Sequence, residues 1–202
     1  MSEMNWLPIV LAYFLGSIPF GLLVVRFSGL GDIRDIGSGN IGATNVMRTG
    51  KHKIGVITLL LDMFKGTLAT LIAYHFSPDF YLAAGLAAML GHIYPVWLKF
   101  KGGKGVATFI GVVLAISPGV AFLVMLVWFI TFQIWRYSSL ASLAATLVTP
   151  LLCLFLVSAD AGLWTLLMGI VIFLRHRSNI DRLIEGDEPK FERRKPENVP
   201  GA

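Results

Sequence analysis

Long apolar runs make up most of this chain, and short polar stretches separate them. Most of these runs are long enough to cross a hydrocarbon core about 30 Å thick as a helix. The run at 6–25 has glycine, serine and proline in its second half, which predicts a kinked helix packed closely against a neighbour. The run at 105–135 is too long for one crossing, and Ser117-Pro118-Gly119 divides it. The pattern predicts seven transmembrane helices, several of them short, at 6–25, 54–76, 80–98, 105–116, 119–135, 139–157 and 161–174.

The composition agrees with an all-α polytopic membrane protein. Of the 202 residues, 55% are hydrophobic and 14% are charged, whereas an average soluble domain has about 25% charged residues. Residues 1–184 are therefore predicted to form a single membrane-embedded domain. Residues 185–202 mix both charges with proline and glycine, which predicts a polar, disordered tail. Because residues 1–5 carry no cation and no small-residue cleavage site follows, we expect the first run to remain in the mature protein.

The positions of the basic residues predict how the helices are oriented. Sixteen of the seventeen Lys and Arg residues lie in the connections at 26–53, 99–104 and 136–138 or after residue 174. Because cytoplasmic loops of membrane proteins are enriched in Lys and Arg, the N-terminus is predicted to face outward and the C-terminus to face the cytoplasm. The same placement argues against nucleic acid as a partner, despite the net charge of +5.

The one remaining cation, Lys65, lies inside the second apolar run, three residues after Asp62. This spacing places the two side chains on one helix face. A charge inside the bilayer costs about 2.5–3.5 kcal/mol, so we expect the two to pair. The pair is either a structural ion pair that faces the bundle interior or part of the function.

The first polar cluster is residues 37–48, Gly37-Ser38-Gly39-Asn40-Ile41-Gly42-Ala43-Thr44-Asn45-Val46-Met47-Arg48. Glycines let backbone N–H groups approach a ligand, and hydroxyl and carboxamide side chains add neutral hydrogen-bonding groups. An arginine adds a donor fork that suits phosphate. An ordinary polar loop is the alternative, but turn formation does not require so many donors. The candidate substrate-binding residues here are Gly37, Ser38, Gly39, Asn40, Thr44, Asn45 and Arg48.

The second polar cluster is Lys99-Phe100-Lys101-Gly102-Gly103-Lys104-Gly105, which leads into the short fourth span. Glycine amides and a helix N-terminus both direct positive partial charge toward an anion. A set of lysine anchors at the membrane surface would explain Lys99 and Lys101, but it would not explain the glycines. The candidate phosphate-binding residues here are Gly102, Gly103, Lys104 and Gly105.

Neither glycine-rich stretch is a nucleotide-binding motif. The first matches Gly-x-Gly-x-x-Gly at Gly37, Gly39 and Gly42, but that motif requires a preceding strand, which does not fit between two membrane spans. The second lacks the glycine spacing and the Lys-Ser/Thr end of a P-loop.

Two further polar clusters lie on the same predicted side of the membrane. The serines of Arg136-Tyr137-Ser138-Ser139-Leu140-Ala141-Ser142 are either capping residues or ligand contacts. In Arg175-His176-Arg177-Ser178-Asn179-Ile180-Asp181, His176 and Asn179 share a face if the helix continues, although dipole partners would explain the cations. His176 and Asp181 also match the His-x-x-x-x-Asp dyad of one glycerolipid acyltransferase class. The sequence lacks that class's Pro-Glu-Gly-Thr block, so Asp181 is not assigned.

Three blocks together resemble one bacterial family, the membrane-integral glycerol-3-phosphate acyltransferases that use acyl phosphate. The blocks are Gly37–Arg48, Gly91-His92-Ile93-Tyr94-Pro95-Val96 through Lys101–Thr108, and Arg175–Ile180. The resemblance extends to about residue 184. It implies a seven-helix fold in the bacterial inner membrane with a cytoplasmic active site. It also implies acyl transfer to the 1-hydroxyl of glycerol 3-phosphate, giving lysophosphatidate and inorganic phosphate, the first acylation of phospholipid synthesis.

The resemblance also implies which residues form the active site. As hypotheses, Lys104 and the backbone amides of Gly102 and Gly103 hold acyl phosphate, and Ser142 orients a substrate oxygen. Glycerol 3-phosphate would then be held by the other matched positions, which are Ser38, Arg48, His176 and Asn179. No cofactor and no metal are expected, since no carboxylate cluster lies near the loops. The expected partners are the two substrates, membrane lipids and an upstream enzyme that produces acyl phosphate.

The general base and a competing class of function remain open at this point. His176 is a candidate base by residue type, and the substrate's own phosphate, with a second pKa near 6, is another. A covalent acyl-serine at Ser38 or Ser142 is a further route. An organic-phosphate transporter is the competing class, although transporter sites usually lie near the midplane between related halves. A scaffolding membrane protein would not need two phosphate loops.

Overall fold

The computed structural model describes residues 6–191, and this part of the chain is helical, with no β-strand. Besides short 3₁₀ turns at 33–35, 78–80 and 96–98, it contains ten α-helices. They are α1 (Leu7–Gly16), α2 (Phe20–Phe27), α3 (Ala43–Arg48), α4 (His52–Phe76), α5 (Tyr81–Ile93), α6 (Val106–Ile116), α7 (Pro118–Trp135), α8 (Ser138–Leu156), α9 (Ala159–Arg175) and α10 (Arg177–Glu185).

The first apolar run is broken where the sequence predicted a kink. α1 ends at Gly16, and α2 begins at Phe20, directly after Pro19. Proline has no amide hydrogen to continue a helical hydrogen-bond ladder. The hydroxyl of Ser17 donates to the carbonyl oxygen of Phe14 at 2.7 Å. The carbonyl oxygen of Ile18 accepts from the amide of Phe20 at 3.0 Å and from the Lys65 side chain of α4 at 2.8 Å.

The predicted division of 105–135 is also confirmed. α6 ends at Ile116, and α7 begins at Pro118, where proline is tolerated in the first turn. Ser117 caps α7, because its hydroxyl accepts a hydrogen bond from the amide of Val120.

Five apolar segments are long enough to cross a membrane, and α9 and α10 make a sixth if this pair, bent by 61°, counts as one span. α6 is apolar but has 11 residues, about 16 Å of helix. The five segments are Leu7–Phe27, His52–Phe76, Pro78–Leu98, Pro118–Trp135 and Ser138–Leu156. The all-helical architecture with several apolar spans confirms the predicted class, and the count of seven crossings stays a prediction.

Glycines allow the helices that carry the site to pack backbone against backbone. A Cβ at Gly16 of α1 would lie 2.0 Å from the carbonyl oxygen of Ala88 in α5. A Cβ at Gly111 of α6 would lie 1.9 Å from the carbonyl oxygen of Met63 in α4. These close approaches join α1 to α5 and α6 to α4, as expected for helices in lipid.

The predicted ion pair inside α4 is present. Lys65 Nζ lies 2.8 Å from Asp62 Oδ1, and the side chains are 1% and 2% exposed. The pair therefore faces the bundle interior, as the cost of a charge in lipid requires.

The chain turns back on itself after α10. Gly186, with φ of 84°, ends the helix, and the amides of Asp187 and Glu188 donate to the carbonyl oxygen of Arg182. The amide of Phe191 donates to the carbonyl oxygen of Arg136 at 2.8 Å. Residues 187–191 therefore lie against the bundle, whereas the sequence indicated a solvated tail from residue 185. Residues 192–202 lie outside the described residues, and the boundary at residue 184 stays a prediction.

Candidate active site

One polar pocket of about 510 Å³ lies where three of the sequence's polar clusters meet. Its walls come from the loop before α3, the loop before α6, and the junction of α9 and α10. The lining residues are Ser38, Gly39, Asn40, Gly102, Lys104, Leu174, Arg175, Arg177, Ser178 and Asp181. We call this cavity the polar pocket. The two glycine-rich loops therefore lie side by side, as the sequence predicted.

The side chain of Asn45 organises the first loop. Its Oδ1 accepts a hydrogen bond from the amide of Ser38 at 3.0 Å. Its Nδ2 donates to three backbone carbonyl oxygens at 2.8 to 3.1 Å, those of Ile33, Ile36 and Asn40. Asn45 is buried, and its amide is fully used by the loop. Asn45 thus builds the loop, and its contact with substrate stays a prediction.

Two glycines of the first loop are required by backbone conformation. Gly37 and Gly39 have φ of 60° and 68°, which residues with a Cβ rarely adopt. A Cβ at Gly37 would also lie 2.4 Å from Asn45 Oδ1. Asn40 Oδ1 accepts from the amide of Gly42 at 3.2 Å, which closes an Asx turn. Ser38 and Asn40 are thereby held at the wall of the polar pocket.

Two amides of the second loop are hydrogen-bonded within the fold. The amide of Gly102 donates to the carbonyl oxygen of Ile93 at 3.0 Å, and that of Gly103 donates to the carbonyl oxygen of His92 at 3.1 Å. Both amide hydrogens are thus already used within the fold, which argues against the hypothesis that these two amides hold acyl phosphate. The glycines are needed for close packing, because a Cβ at Gly102 would lie 2.2 Å from the carbonyl oxygen of His92. Gly105, with φ of 90°, is the N-cap residue of α6.

Lys104 is the cation that the second loop places in the polar pocket. Its Nζ donates to Asn179 Oδ1 at 2.5 Å. Burial lowers the pKa of Lys104 from its ordinary value of 10.5 to about 8, with Glu188 raising it and neighbouring arginines lowering it further. The ammonium is thus mostly charged at neutral pH but poorly hydrated, a state that favours binding of an anion.

His176 lies at the bend between α9 and α10, beyond the apolar part of α9. Its Nδ1 lies 2.8 Å from the carbonyl oxygen of Ile172. Because a carbonyl only accepts, Nδ1 carries the hydrogen and Nε2 keeps its lone pair. Burial, together with the nearby charge of Lys104, lowers the pKa of His176 to about 4. The ring is therefore neutral at physiological pH, and Asp181 is not the partner of its Nδ1.

Sequence reasoning missed Glu188, which is buried and holds Asn179 in place. Glu188 Oε1 accepts from Asn179 Nδ2 at 2.7 Å and from the Ser139 hydroxyl at 2.6 Å. Arg182 Nε donates to Glu188 Oε2 at 2.8 Å. Burial raises the pKa of Glu188, but these hydrogen bonds outweigh it and lower the pKa overall. No pattern distinguished this carboxylate from the others in the charged tail.

Three candidates lie away from the polar pocket. Thr44 Oγ1 and Ser138 Oγ are hydrogen-bonded at 3.1 Å, and Ser142 Oγ donates to the carbonyl oxygen of Ser138 at 2.8 Å. Ser142 also accepts from Trp128 Nε1 at 3.1 Å. Arg48 Nη2 donates to the carbonyl oxygen of Pro189 at 3.4 Å.

A second cavity of about 540 Å³ lies beside these hydroxyls, and we call it the apolar groove. Its walls are mainly aromatic and aliphatic side chains of α4, α7 and the C-terminal segment, with hydroxyl groups of α3 and α8. They include Leu59, Trp128, Phe129, Phe132, Phe191, Thr44 and Ser138. Trp128 lines the groove and also donates a hydrogen bond to Ser142. The groove is therefore an apolar cavity next to the hydroxyls of Thr44, Ser138 and Ser142.

The fold and the site together define a helical integral membrane protein with a cationic pocket and a separate apolar groove. Residues 6–186 match the family described as glycerol-3-phosphate acyltransferase, and the chain belongs to this family.

The relatives and solved structures that resemble the chain agree. The chain is 52% identical over 185 residues to the glycerol-3-phosphate acyltransferase of Mesorhizobium japonicum, covering 92% of this chain and 95% of that protein. It is 48% identical over 183 residues to that of Brucella ovis, covering 91% of each. Two crystal structures of PlsY, an integral membrane glycerol 3-phosphate acyltransferase, have the same fold. Its glycerol 3-phosphate form matches with a TM-score of 0.86 at 45% identity, covering 92% of this chain and 94% of that chain. Its lysophosphatidic acid form matches with a TM-score of 0.85 at 44% identity over the same shares.

Proposed function

We propose that this chain transfers a fatty acyl group from acyl phosphate to the 1-hydroxyl of glycerol 3-phosphate. The products are lysophosphatidate and inorganic phosphate, and the reaction is the first acylation of phospholipid synthesis. Family membership and the substrate and product forms of PlsY support glycerol 3-phosphate as the acceptor. An enzyme that produces acyl phosphate would supply the donor.

The observation that carries the proposal is the single pocket shared by both glycine-rich loops. Both substrates bear phosphate, and the pocket collects Lys104, Arg175 and Arg177 at one end of the bundle. The apolar groove lies beside the hydroxyls of Thr44 and Ser138 and offers the acyl chain a place out of water. This pairing suits a donor that is anionic at one end and apolar along the rest.

The chemistry assigns a role to each element. The 1-hydroxyl oxygen attacks the acyl carbonyl carbon, the bond from that carbon to the phosphate oxygen breaks, and inorganic phosphate leaves. Lys104 stabilises the charge that develops on the leaving phosphate. Ser38 and Asn40 position a phosphate from the first loop, together with Gly39. Asn179 positions the Lys104 ammonium, with which it is hydrogen-bonded. Arg48 and Ser142 lie outside the polar pocket, and their contacts with substrate stay predictions.

A coupled assay tests the proposed reaction. Purified protein in detergent is mixed with palmitoyl phosphate and glycerol 3-phosphate, and inorganic phosphate is measured. Release that requires both substrates, with formation of lysophosphatidate, is the expected result. Uptake of glycerol 3-phosphate by sealed vesicles without phosphate release would instead establish a transporter.

Replacing His176 with glutamine tests which group removes the proton. With a pKa of about 4, His176 is a weak base at pH 7, whereas the phosphate of the substrate has a second pKa near 6. Glutamine retains an acceptor near the position of Nε2 but has no basicity. We expect His176→Gln to retain measurable turnover, with kcat reduced about tenfold. Complete loss of turnover with glycerol 3-phosphate binding intact would make His176 the base.

The pKa of Lys104 predicts a falling alkaline limb in the pH profile. Its value of about 8 means that the charged form is present below pH 8 and is lost above it, so kcat/KM should fall as pH rises through 8. The guanidinium of Lys104→Arg stays charged, so the limb should move to higher pH. A Lys101→Arg control should keep the original profile, since Lys101 is exposed. An unchanged limb in Lys104→Arg would assign it to another group.

The orientation is part of the proposal. The bacterial inner membrane is the location, with the N-terminus outside and the polar pocket open to the cytoplasm, and the basic connections support this arrangement. In a Cys153→Ser background, Asp79→Cys should react with an impermeant maleimide in intact spheroplasts. Lys101→Cys should react only after permeabilisation. The reverse pattern would contradict the orientation.

A further inference from the structure

Three buried ionisable side chains lie beneath the second loop, and none of them lines the polar pocket. They are Asp62 and Lys65 of α4 and His92 of α5, which are 2%, 1% and 5% exposed. Asp62 Oδ1 lies 2.8 Å from Lys65 Nζ and 3.5 Å from His92 Nδ1. One carboxylate therefore lies between a lysine of its own helix and the histidine of the next. We call these three residues the buried triad.

The buried triad also forms a hydrogen bond with the backbone at the break between α1 and α2. Lys65 Nζ donates to the carbonyl oxygen of Ile18 at 2.8 Å. That carbonyl lies between α1 and α2, where Pro19 interrupts the helical ladder. The amide of Phe20 also donates to this carbonyl oxygen at 3.0 Å, so Lys65 adds a second hydrogen bond there and connects the break to α4.

His92 connects the buried triad to the second loop. Its carbonyl oxygen accepts the amide of Gly103 at 3.1 Å. A Cβ built at Gly103 would lie 2.1 Å from His92 Nε2. The imidazole therefore packs directly against Gly103, which precedes Lys104 in the sequence. A shift of the ring would move the loop backbone and the ammonium that enters the polar pocket.

We propose that Asp62, Lys65 and His92 position the second loop and thereby set the affinity of its phosphate site. The inference rests on the proposed function, in which Lys104 contacts a substrate phosphate. Ionisable groups in the interior of a membrane protein are costly, and a purely structural pair is often replaceable by apolar residues without loss of stability. Asp62 lies 3.5 Å from His92, and His92 packs against Gly103. The charged residues can therefore position the second loop, which apolar replacements would not do.

The double variant Asp62→Val with Lys65→Met tests the role of the charges. It removes both charges at once, so no uncompensated ion is left in the interior. We expect it to fold with a Tm near that of wild type. The KM for acyl phosphate should rise about tenfold, with kcat changed less than threefold, because the loop is displaced but Lys104 remains. Thr70→Val is the matched control, since Thr70 is buried in α4 and its hydroxyl donates within the helix, to the carbonyl oxygen of Gly66. Its KM values should equal those of wild type.

A double-mutant cycle between His92 and Gly103 tests the direct contact. Gly103→Ala alone should raise KM strongly, because the new methyl group collides with the ring. In a His92→Ala background the ring is absent, so the same change should have little further effect. Additive losses, or KM values unchanged in a folded Asp62→Val/Lys65→Met protein, would overturn the proposal.

A binding measurement separates this inference from the proposed reaction. If wild-type protein releases no phosphate from the two substrates, the proposed function fails. Titration with a non-hydrolysable acyl phosphonate, whose phosphorus group the second loop would bind, then tests the buried triad by itself. Binding weakened about tenfold in the charge-free double variant, with Thr70→Val unaffected, would support the positioning role. Equal binding by both variants and wild type would overturn it.

Discussion

Replacing Lys104 with methionine is expected to lower kcat/KM by about 10² to 10³-fold. Methionine approximates the length of the lysine stem but removes the positive charge from the polar pocket. The substrate phosphate and Asn179 Oδ1 would both lose their ammonium partner. Because charge builds on the phosphate as it leaves, we expect kcat to fall and not only KM to rise. Phosphate release over a range of both substrate concentrations measures the two effects.

Lys101→Met is the matched control for this variant. Lys101 belongs to the same loop and carries the same charge, but it is exposed and does not line the polar pocket. Its kcat/KM should stay within about threefold of wild type, because exposed charges contribute little at this distance. Equal losses in the two variants would mean that the loop acts through its overall charge, which would contradict the assigned role of Lys104.

Replacing Glu188 with alanine is expected to destabilise the protein by about 2–3 kcal/mol and to reduce activity. The change removes the acceptor for the Ser139 hydroxyl and for Asn179 Nδ2, both of which are buried. Each buried donor left without a partner costs about 1–3 kcal/mol. Asn179 would also lose the contact that directs its Oδ1 toward Lys104. A thermal melt in detergent and the phosphate-release assay measure the two consequences.

Asp187→Ala provides the comparison for Glu188→Ala. Asp187 is the neighbouring carboxylate, but it is exposed, and its hydrogen bond to Arg182 is made by the backbone amide. We expect its Tm and activity to match wild type. If Glu188→Ala also matched wild type, residues 187–191 would not support the site.

The helices could be predicted from the sequence because the residues that begin and end them act on the neighbouring backbone. Proline breaks the first run before α2 and the long run before α7, and both breaks lie where the pattern placed them. The pairing of Asp62 with Lys65 followed from the cost of a charge in lipid. The 61° bend between α9 and α10 could not be predicted, because no proline or glycine marks it.

Many residues of the site could be predicted from the sequence, but their hydrogen-bond partners could not. The sequence indicated that the two glycine-rich loops meet, and they do line one pocket. The hydrogen-bond partners of Asn45 and of the Gly102 and Gly103 amides depend on nearby backbone carbonyls, which only the folded chain places within reach. Glu188 was missed because the composition of residues 185–202 resembles that of a solvated tail.

The most direct test is an experimental structure of this protein with glycerol 3-phosphate and a non-hydrolysable acyl phosphonate bound. We expect a phosphorus-bearing group in the polar pocket, with an oxygen about 3 Å from Lys104 Nζ and within reach of Ser38 and Asn40. The acyl chain should follow the apolar groove. Phosphorus groups bound away from either glycine-rich loop, or at the opposite end of the bundle, would contradict this expectation.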